Sequence, residues 1–181
     1  MYINIDPKEL YHVLGGGQLI NISTVSKDGI FDVMTCAWNT MFDTDQPLTV
    51  LAREHTTTKN ILDTGRYVIA LPTKNDIALI KKVGSEHGAV TGDKFKWAGI
   101  NPEFSQKMHI PVIPRALAYI ECEMLMRDMF EKTGILVGQA QSVLVDELCY
   151  DQELRAFVPG VEHILHNVDE DRFYCEGKYF N

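Results

Sequence analysis

Arg53-Glu54-His55-Thr56-Thr57-Thr58-Lys59-Asn60 is the densest run of side chains in this sequence that could bind a charged group. It lies at the end of an apolar stretch and opens a helical pattern. A helix that starts there leaves its first backbone N–H groups without intrahelical partners. The positive end of its dipole favours an anion at that point. Arg53 and Lys59 add charge, and Thr56 and Thr57 add hydroxyl donors, so the run suits a phosphate dianion. The same residues also make an ordinary solvated helix start with a threonine cap. On residue chemistry alone both readings stand.

A second candidate is Asp32-Val33-Met34-Thr35-Cys36-Ala37-Trp38-Asn39. Small side chains, one large aromatic and several polar groups alternate near a strand end. A flat heteroaromatic ring needs apolar walls and a few orienting donors and acceptors, and Thr35, Cys36, Ala37 and Trp38 could supply them. The competing reading is a half-buried strand with Trp38 in the core.

Other motifs carry less. Gly15-Gly16-Gly17 is not a dinucleotide loop, because no strand precedes it and the third fingerprint glycine would fall on Ile20. It reads as a helix stop. His163 and His166 stand at helical spacing beside Glu162, but no third ligand has metal-site spacing, so no metal is expected. No phosphate-cradling P-loop and no nucleophile elbow occur. Cys36, Cys122, Cys149 and Cys175 are scattered with no CxxC pair, which fits reduced thiols in a cytoplasm.

The chain has 181 residues and a net charge of −8, with 45% hydrophobic and 23% charged residues. One domain spanning 1–181 is expected, with a core that needs no staples. The acidic balance disfavours nucleic acid as a partner. The first ten residues lack the apolar region of a secretory signal, and the apolar runs, such as 67–71, are far shorter than the ~20 residues of a membrane span.

The elements that must position the two candidate segments follow from periodicity and turn chemistry. Asp6-Pro7 caps a short helix through Leu10 and Tyr11. Residues 19–26 and 30–38 read as strands joined by Lys27-Asp28-Gly29. Residues 39–46 read as a polar loop and 47–52 as a strand. Residues 56–64 read as a helix closed by Gly65, and 67–71 as a buried strand. Asn75-Asp76 caps a helix carrying Ile77, Leu79, Ile80 and Val83. Residues 84–114 form a long excursion with one helical turn near 95–97, of the length that usually has a role. Residues 118–131 and 134–146 read as long strands joined by a hairpin turn at Lys132-Thr133-Gly134. Ile120, Cys122, Met124 and Met126 fall on one face of the first, and Ile135, Val137, Val143 and Val145 on one face of the second. Residues 149–157 read as a helix, followed by Pro159-Gly160 and a strand pair running through Tyr174 to Tyr179. The fold class is mainly β with inserted helices, an antiparallel barrel.

The order of these pieces resembles the flavin reductase-like family, which includes flavoredoxins and the reductase components of two-component monooxygenases. The resemblance is carried by Val33–Trp38, by the proline-marked strand at 46–52, by Thr57-x-x-Asn60-Ile61 and by Gly65-x-Tyr67-Val68-x-x-x-Pro72. Asp93-Lys94-Phe95, Ala98-Gly99-Ile100, residues 118–123 and Gly177-Lys178-Tyr179-Phe180 also look familial. Asp32 stands where many relatives carry Asn.

This resemblance implies an FMN-binding split β-barrel and a homodimer, with the excursion at 84–114 as a candidate partner surface. It places Thr35, Cys36, Ala37 and Trp38 along the flavin and Arg53, Thr56, Thr57 and Lys59 around its phosphate. It implies a NAD(P)H:flavin reductase or a flavoredoxin-like electron carrier, with NADH or NADPH as donor and a small molecule or protein as acceptor. Hydride transfer to a flavin needs no side-chain acid or base, so no catalytic residue is assigned. A flavin-binding carrier or sensor without turnover is the alternative, and a barrel that has lost its cofactor is a third.

Overall fold

The computed structural model describes residues 6, 7, 10, 17–158, 164–167 and 173–175. The calls on Tyr11, Gly15, Gly16, Pro159, Gly160, Glu162, His163 and the 177–180 segment lie outside them. The first hairpin joins β1 (Ile20–Val25) to β2 (Phe31–Cys36), with Val25 opposite Phe31 and Ile20 opposite Cys36. In its turn, Ser26 Oγ accepts hydrogen bonds from the N–H of Asp28 at 3.2 Å and of Ile30 at 3.0 Å. β3 (Asn39–Asp43) and β4 (Gln46–Val50) form a second hairpin, so the polar stretch expected as loop is instead an edge strand. Its side chains are mostly exposed, which hides a strand from a hydrophobic-pattern reading.

α1 (Thr56–Thr64) closes at Gly65 as the sequence indicates, and β5 (Arg66–Leu71) follows. Thr73, rather than Asn75, caps the next segment: its Oγ1 accepts from Asn75 N–H at 3.2 Å, and Asp76 Oδ2 accepts from Thr73 N–H at 2.9 Å. α2 (Ile77–Ser85) continues from that turn. The excursion is more ordered than its sequence suggests. It contains α3 (Gly88–Thr91), α4 (Lys94–Ala98) and a small hairpin of β6 (Glu103–Phe104) with β7 (Pro111–Val112).

β8 (Ala118–Leu125) and β9 (Ile135–Val145) pair antiparallel, but a helix, α5 (Arg127–Thr133), replaces the expected tight turn. Met126 at φ 50° ends the strand early, and Phe130 anchors α5 in the core. A bulge also corrects the face assignment on β9. Glu121 opposes Ser142 while Cys122 opposes Ala140, which leaves Gln141 unpaired. The extra residue shifts the alternation by one. Val143 and Val145 therefore share the face of Ile120 and Ala118, whereas Ile135 and Val137 lie on the other side. The helix expected over 149–157 is a hairpin of β10 (Tyr150–Asp151) and β11 (Ala156–Phe157). β12 (Leu165–Asn167) pairs with β13 (Phe173–Cys175), so His166 sits on a strand.

The main sheet has seven antiparallel strands in the order β2-β1-β5-β8-β9-β4-β3, curled into a half-barrel. Its interior holds Ile20, Ile22, Tyr67, Ile69, Cys122 and Leu136. A second core forms on the outside of edge strand β2, where Val33 packs with Val83, Phe95, Ala98 and Ile113. β2 is thus held from both faces, which fixes the backbone that carries the second candidate segment, Asp32 to Asn39.

Gly134 pins β9 to the loop before α1. It sits at φ 77°, and its carbonyl accepts the Leu51 N–H at 2.9 Å. A Cβ there would stand 2.3 Å from Leu51 O. The left-handed conformation alone costs an L-residue about 1–2 kcal/mol, and the clash adds to it. Gly134→Ala is expected to lower unfolding free energy by at least about 2 kcal/mol. A denaturant midpoint matching the parent protein would contradict this.

Candidate functional site

Edge strand β2 and the first turn of α1 meet at Asp32. The residue is 1% exposed, and Thr57 Oγ1 donates to its Oδ2 at 2.5 Å. Lys94 Nζ, 4% exposed as a residue, lies 4.0 Å from Oδ1. That separation is an ion pair but not a hydrogen bond, and Oδ1 accepts none from the described residues. Thr58 Oγ1 donates to Ala52 O at 2.7 Å and Asn60 Nδ2 to Thr24 Oγ1 at 3.0 Å, locking α1 against the sheet. His55 holds the cap position of α1 yet makes no side-chain cap hydrogen bond. The helix start, with its unshared donors, is therefore left to face a cavity.

That cavity, of about 90 Å³, is lined by Asp32, Thr35, His55, Thr56, Thr57 and Lys94, with Val83, Gly84, Glu86, His87 and Gly88 closing it. Gly88 allows the close approach of α3: a Cβ there would stand 2.5 Å from Asp32 Oδ1 and 3.0 Å from Thr56. Next to it lies a larger cleft of about 640 Å³, walled by Leu19, Ile80 and Phe173 and edged by Lys81, Ser85 and Asn167. Thr35 and Gly84 line both. The two spaces are lobes of one site, a polar inner lobe and a more apolar outer lobe. Thr35 Oγ1 donates within reach of Ile80 O at 3.2 Å and Asn21 Oδ1 at 3.3 Å, which holds the shared wall in place.

The inner lobe sets two carboxylates, Asp32 and Glu86, against one ammonium, Lys94. Burial pushes the Lys94 ammonium below its usual pKa, while Asp32 and Glu86 pull it back up. Burial also lowers the His55 pKa, and His87, its ring centroid 5.1 Å away, lowers it further.

The site residues named from sequence divide into groups. Thr35, Thr56 and Thr57 come together at the inner lobe. Arg53 and Lys59 point to solvent and do not line it. Cys36 faces the barrel interior, where its Sγ donates to Trp38 O at 3.6 Å and burial raises its thiol pKa to about 11. Ala37 packs beside the Leu19, Ile80 and Leu165 cluster. Trp38 is 64% exposed, which rules out the competing reading of a core tryptophan, and it lines neither lobe. Lys94 was visible within a familial triplet but carried no role. His55 stood within the charged run but carried no role, and His87 gave no signal, because the two meet from the starts of different helices. Among the described residues, no cluster of His, Cys, Asp and Glu is arranged to hold a metal.

The residues present suit a ligand with a flat ring and a polyhydroxylated anionic tail. Apolar walls lie in the outer lobe. The inner lobe offers an orphaned buried acceptor in Asp32 Oδ1, an ammonium and an open helix start. A curled antiparallel sheet with helices folded over one edge strand, beside a two-lobed lateral cleft, defines a split barrel. The chain belongs to the flavin reductase like domain family, whose pattern matches residues 17–157.

Solved structures share the fold. An FMN-binding domain of a flavin reductases-like enzyme from Shewanella baltica OS155 superposes with a TM-score of 0.82 at 22% identity, covering 98% of this chain and 95% of that one. Flavoredoxin of Desulfovibrio vulgaris (Miyazaki F) gives 0.80 at 19%, covering 92% and 90%. Nitrilotriacetate monooxygenase component B from Bacillus cereus gives 0.80 at 14%, covering 100% of both chains. No described helix is long and apolar enough to cross a membrane.

Proposed function

We propose that this chain is an FMN-binding oxidoreductase, a NAD(P)H:flavin reductase or a flavoredoxin-like electron carrier, acting as a cytoplasmic homodimer. The observation that carries the reading is the joined pair of lobes, the outer more apolar than the inner, sharing Thr35 and Gly84. Bound FMN would supply the hydride- and electron-accepting ring. The protein's part is binding and orientation. Leu19, Ile80 and Phe173 exclude water from the ring lobe. Asp32 Oδ1 accepts from a tail hydroxyl, which gives that oxygen the donor it lacks. Thr56 and the open N–H groups of the helix start receive the phosphate, whereas the buried Thr57 hydroxyl is committed to Asp32.

Dimer formation rests on the open end of the half-barrel. Ile20, Met41, Leu48, Leu71 and Ile120 line a cleft of about 310 Å³ there. Met41 is 57% and Val143 58% exposed on the same inner face. An apolar concavity of this kind calls for cover, and a second copy supplies it. Light scattering at micromolar concentration is expected to give twice 20.5 kDa, and a monomer would count against the dimer.

The enzyme reading is tested by the visible spectrum. The purified protein, supplied with FMN, is expected to bind it and to bleach anaerobically on addition of NADH or NADPH. Bound but unbleached flavin would favour the carrier or sensor. A protein that takes up no flavin would end the proposal. Riboflavin is expected to bind more weakly than FMN. Because Arg53 and Lys59 are exposed, Arg53→Ala and Lys59→Ala are each expected to weaken FMN by no more than about fivefold. They should leave riboflavin affinity unchanged.

A further inference from the structure

We propose that His55 and His87 are proton-linked phosphate ligands, so that FMN binding takes up a proton at this imidazole pair. The proposal rests on the flavin reading above and deepens its inner lobe.

The argument starts from charge. Lys94 and Asp32 lie buried 4.0 Å apart and cancel one another. Glu86 on the rim adds a negative charge. Arg53 and Lys59 are exposed and outside the lobe. A phosphate dianion entering here meets hydroxyls and open N–H groups but no net positive charge to match it. Two imidazoles do line the lobe, one from the cap of α1 and one from the residue preceding α3.

Their geometry fits the task. The ring centroids are 5.1 Å apart with planes tilted by 45°, so neither ring stacks on the other. His55 Nδ1 is buried and has no hydrogen-bond partner among the described residues. Asp32 Oδ1, also without a hydrogen-bond partner among the described residues, belongs to a residue lining the same lobe. An acceptor for a hydroxyl therefore stands beside donors for an anion, which is the pairing a polyol phosphate presents.

The groups facing His55 are His87, Glu54, Lys94 and Asp32, with Glu86 also on the lobe. Burial and the proximity of His87 favour the neutral imidazole when no anion is present. A dianion reverses that preference, since an opposite charge within a few ångströms stabilises the protonated form. The sign follows. Phosphate binding raises the His55 pKa, so affinity for the phosphate falls as pH rises through the window where the free His55 is neutral and the bound His55 is charged. Above pH ~6.5 the phosphate is mainly a dianion, so its own titration contributes little there.

The experiment measures dissociation constants for FMN and for riboflavin from pH 6.5 to 8.5, in the full-length protein and in His55→Gln and His87→Gln. Riboflavin corrects for everything except the phosphate. The FMN preference is expected to shrink about tenfold across that range, and in each variant to be smaller at pH 6.5 and nearly flat. His87→Gln alters an exposed side chain and keeps the test open if His55→Gln folds poorly. An FMN preference that is present but independent of pH would overturn the imidazole assignment and leave the flavin site standing. Equal binding of both ligands, or of neither, at every pH would overturn the phosphate site itself. Calorimetry of FMN binding in two buffers of different ionisation enthalpy should show net proton uptake at pH 7.5, and none would sink the proposal.

Discussion

Lys94→Met is expected to lower unfolding free energy by about 3–5 kcal/mol and to abolish FMN binding. The side chains of Lys94 and Asp32 are both almost wholly buried, and the ammonium is the charge partner of Asp32 Oδ1. Removing it leaves the carboxylate with a single hydrogen bond, from Thr57. A buried carboxylate that loses its charge partner is left uncompensated, which is where the penalty comes from. Asp32→Asn in the same chain removes the uncompensated charge and keeps an acceptor for Thr57, so the double variant should regain most of the lost stability. Urea unfolding of the parent, the single and the double variant measures all of this. A single variant no less stable than the double would show that the pair is not what Lys94 contributes.

Phe95→Ala should be of similar size for a different reason. Phe95 is fully buried between β2 and the excursion, packs with Val33, Val83 and Ile113, and meets Phe31 edge-on at 6.1 Å. Truncating such a side chain costs about 3–5 kcal/mol through lost transfer energy and the cavity left behind. The loss also reaches the site. Phe95 follows Lys94 on α4, and α4 holds the outer face of β2. Weaker FMN binding is expected alongside the lower denaturant midpoint. Phe95→Leu should recover much of both, because it refills most of the volume. Full stability in the alanine variant would mean that the second core is not what fixes β2.

The sequence made some elements legible because local chemistry determined them. α1 could be bounded to the residue, since Gly65 ends it and the threonine run starts it. The first hairpin followed from its Asp-Gly turn. Elements fixed by long-range packing were not legible. β3 carries almost no buried side chain, α5 is held by the burial of Phe130 and a hydrogen bond from Arg127 to the distant Leu62 carbonyl, and the hairpin of β10 with β11 has a helix-like composition. The site divides in the same way. Thr35, Thr56 and Thr57 lie on elements whose ends are locally encoded. Lys94, His87 and Gly88 arrive from an excursion whose course depends on Phe95 finding its core. Arg53 and Lys59 drew notice through charge, but charge says nothing about which way a side chain turns.

The bulge at Gln141 has a consequence for comparing this chain with its relatives. The inward residues of β9 are Leu136, Gly138 and Ala140 before the bulge, and Val143 and Val145 after it. Leave out Gln141 and they fall on one unbroken period of two, with every partner on β8 unchanged. Gln141 is thus a supernumerary position in a strand otherwise in register, held by the bond from Lys107 Nζ to its carbonyl at 2.6 Å. A gap opened at 141 when aligning a shorter relative keeps all the inward residues in correspondence. A gap placed a few residues to either side would exchange inside for outside over the intervening residues, even if the letters matched better.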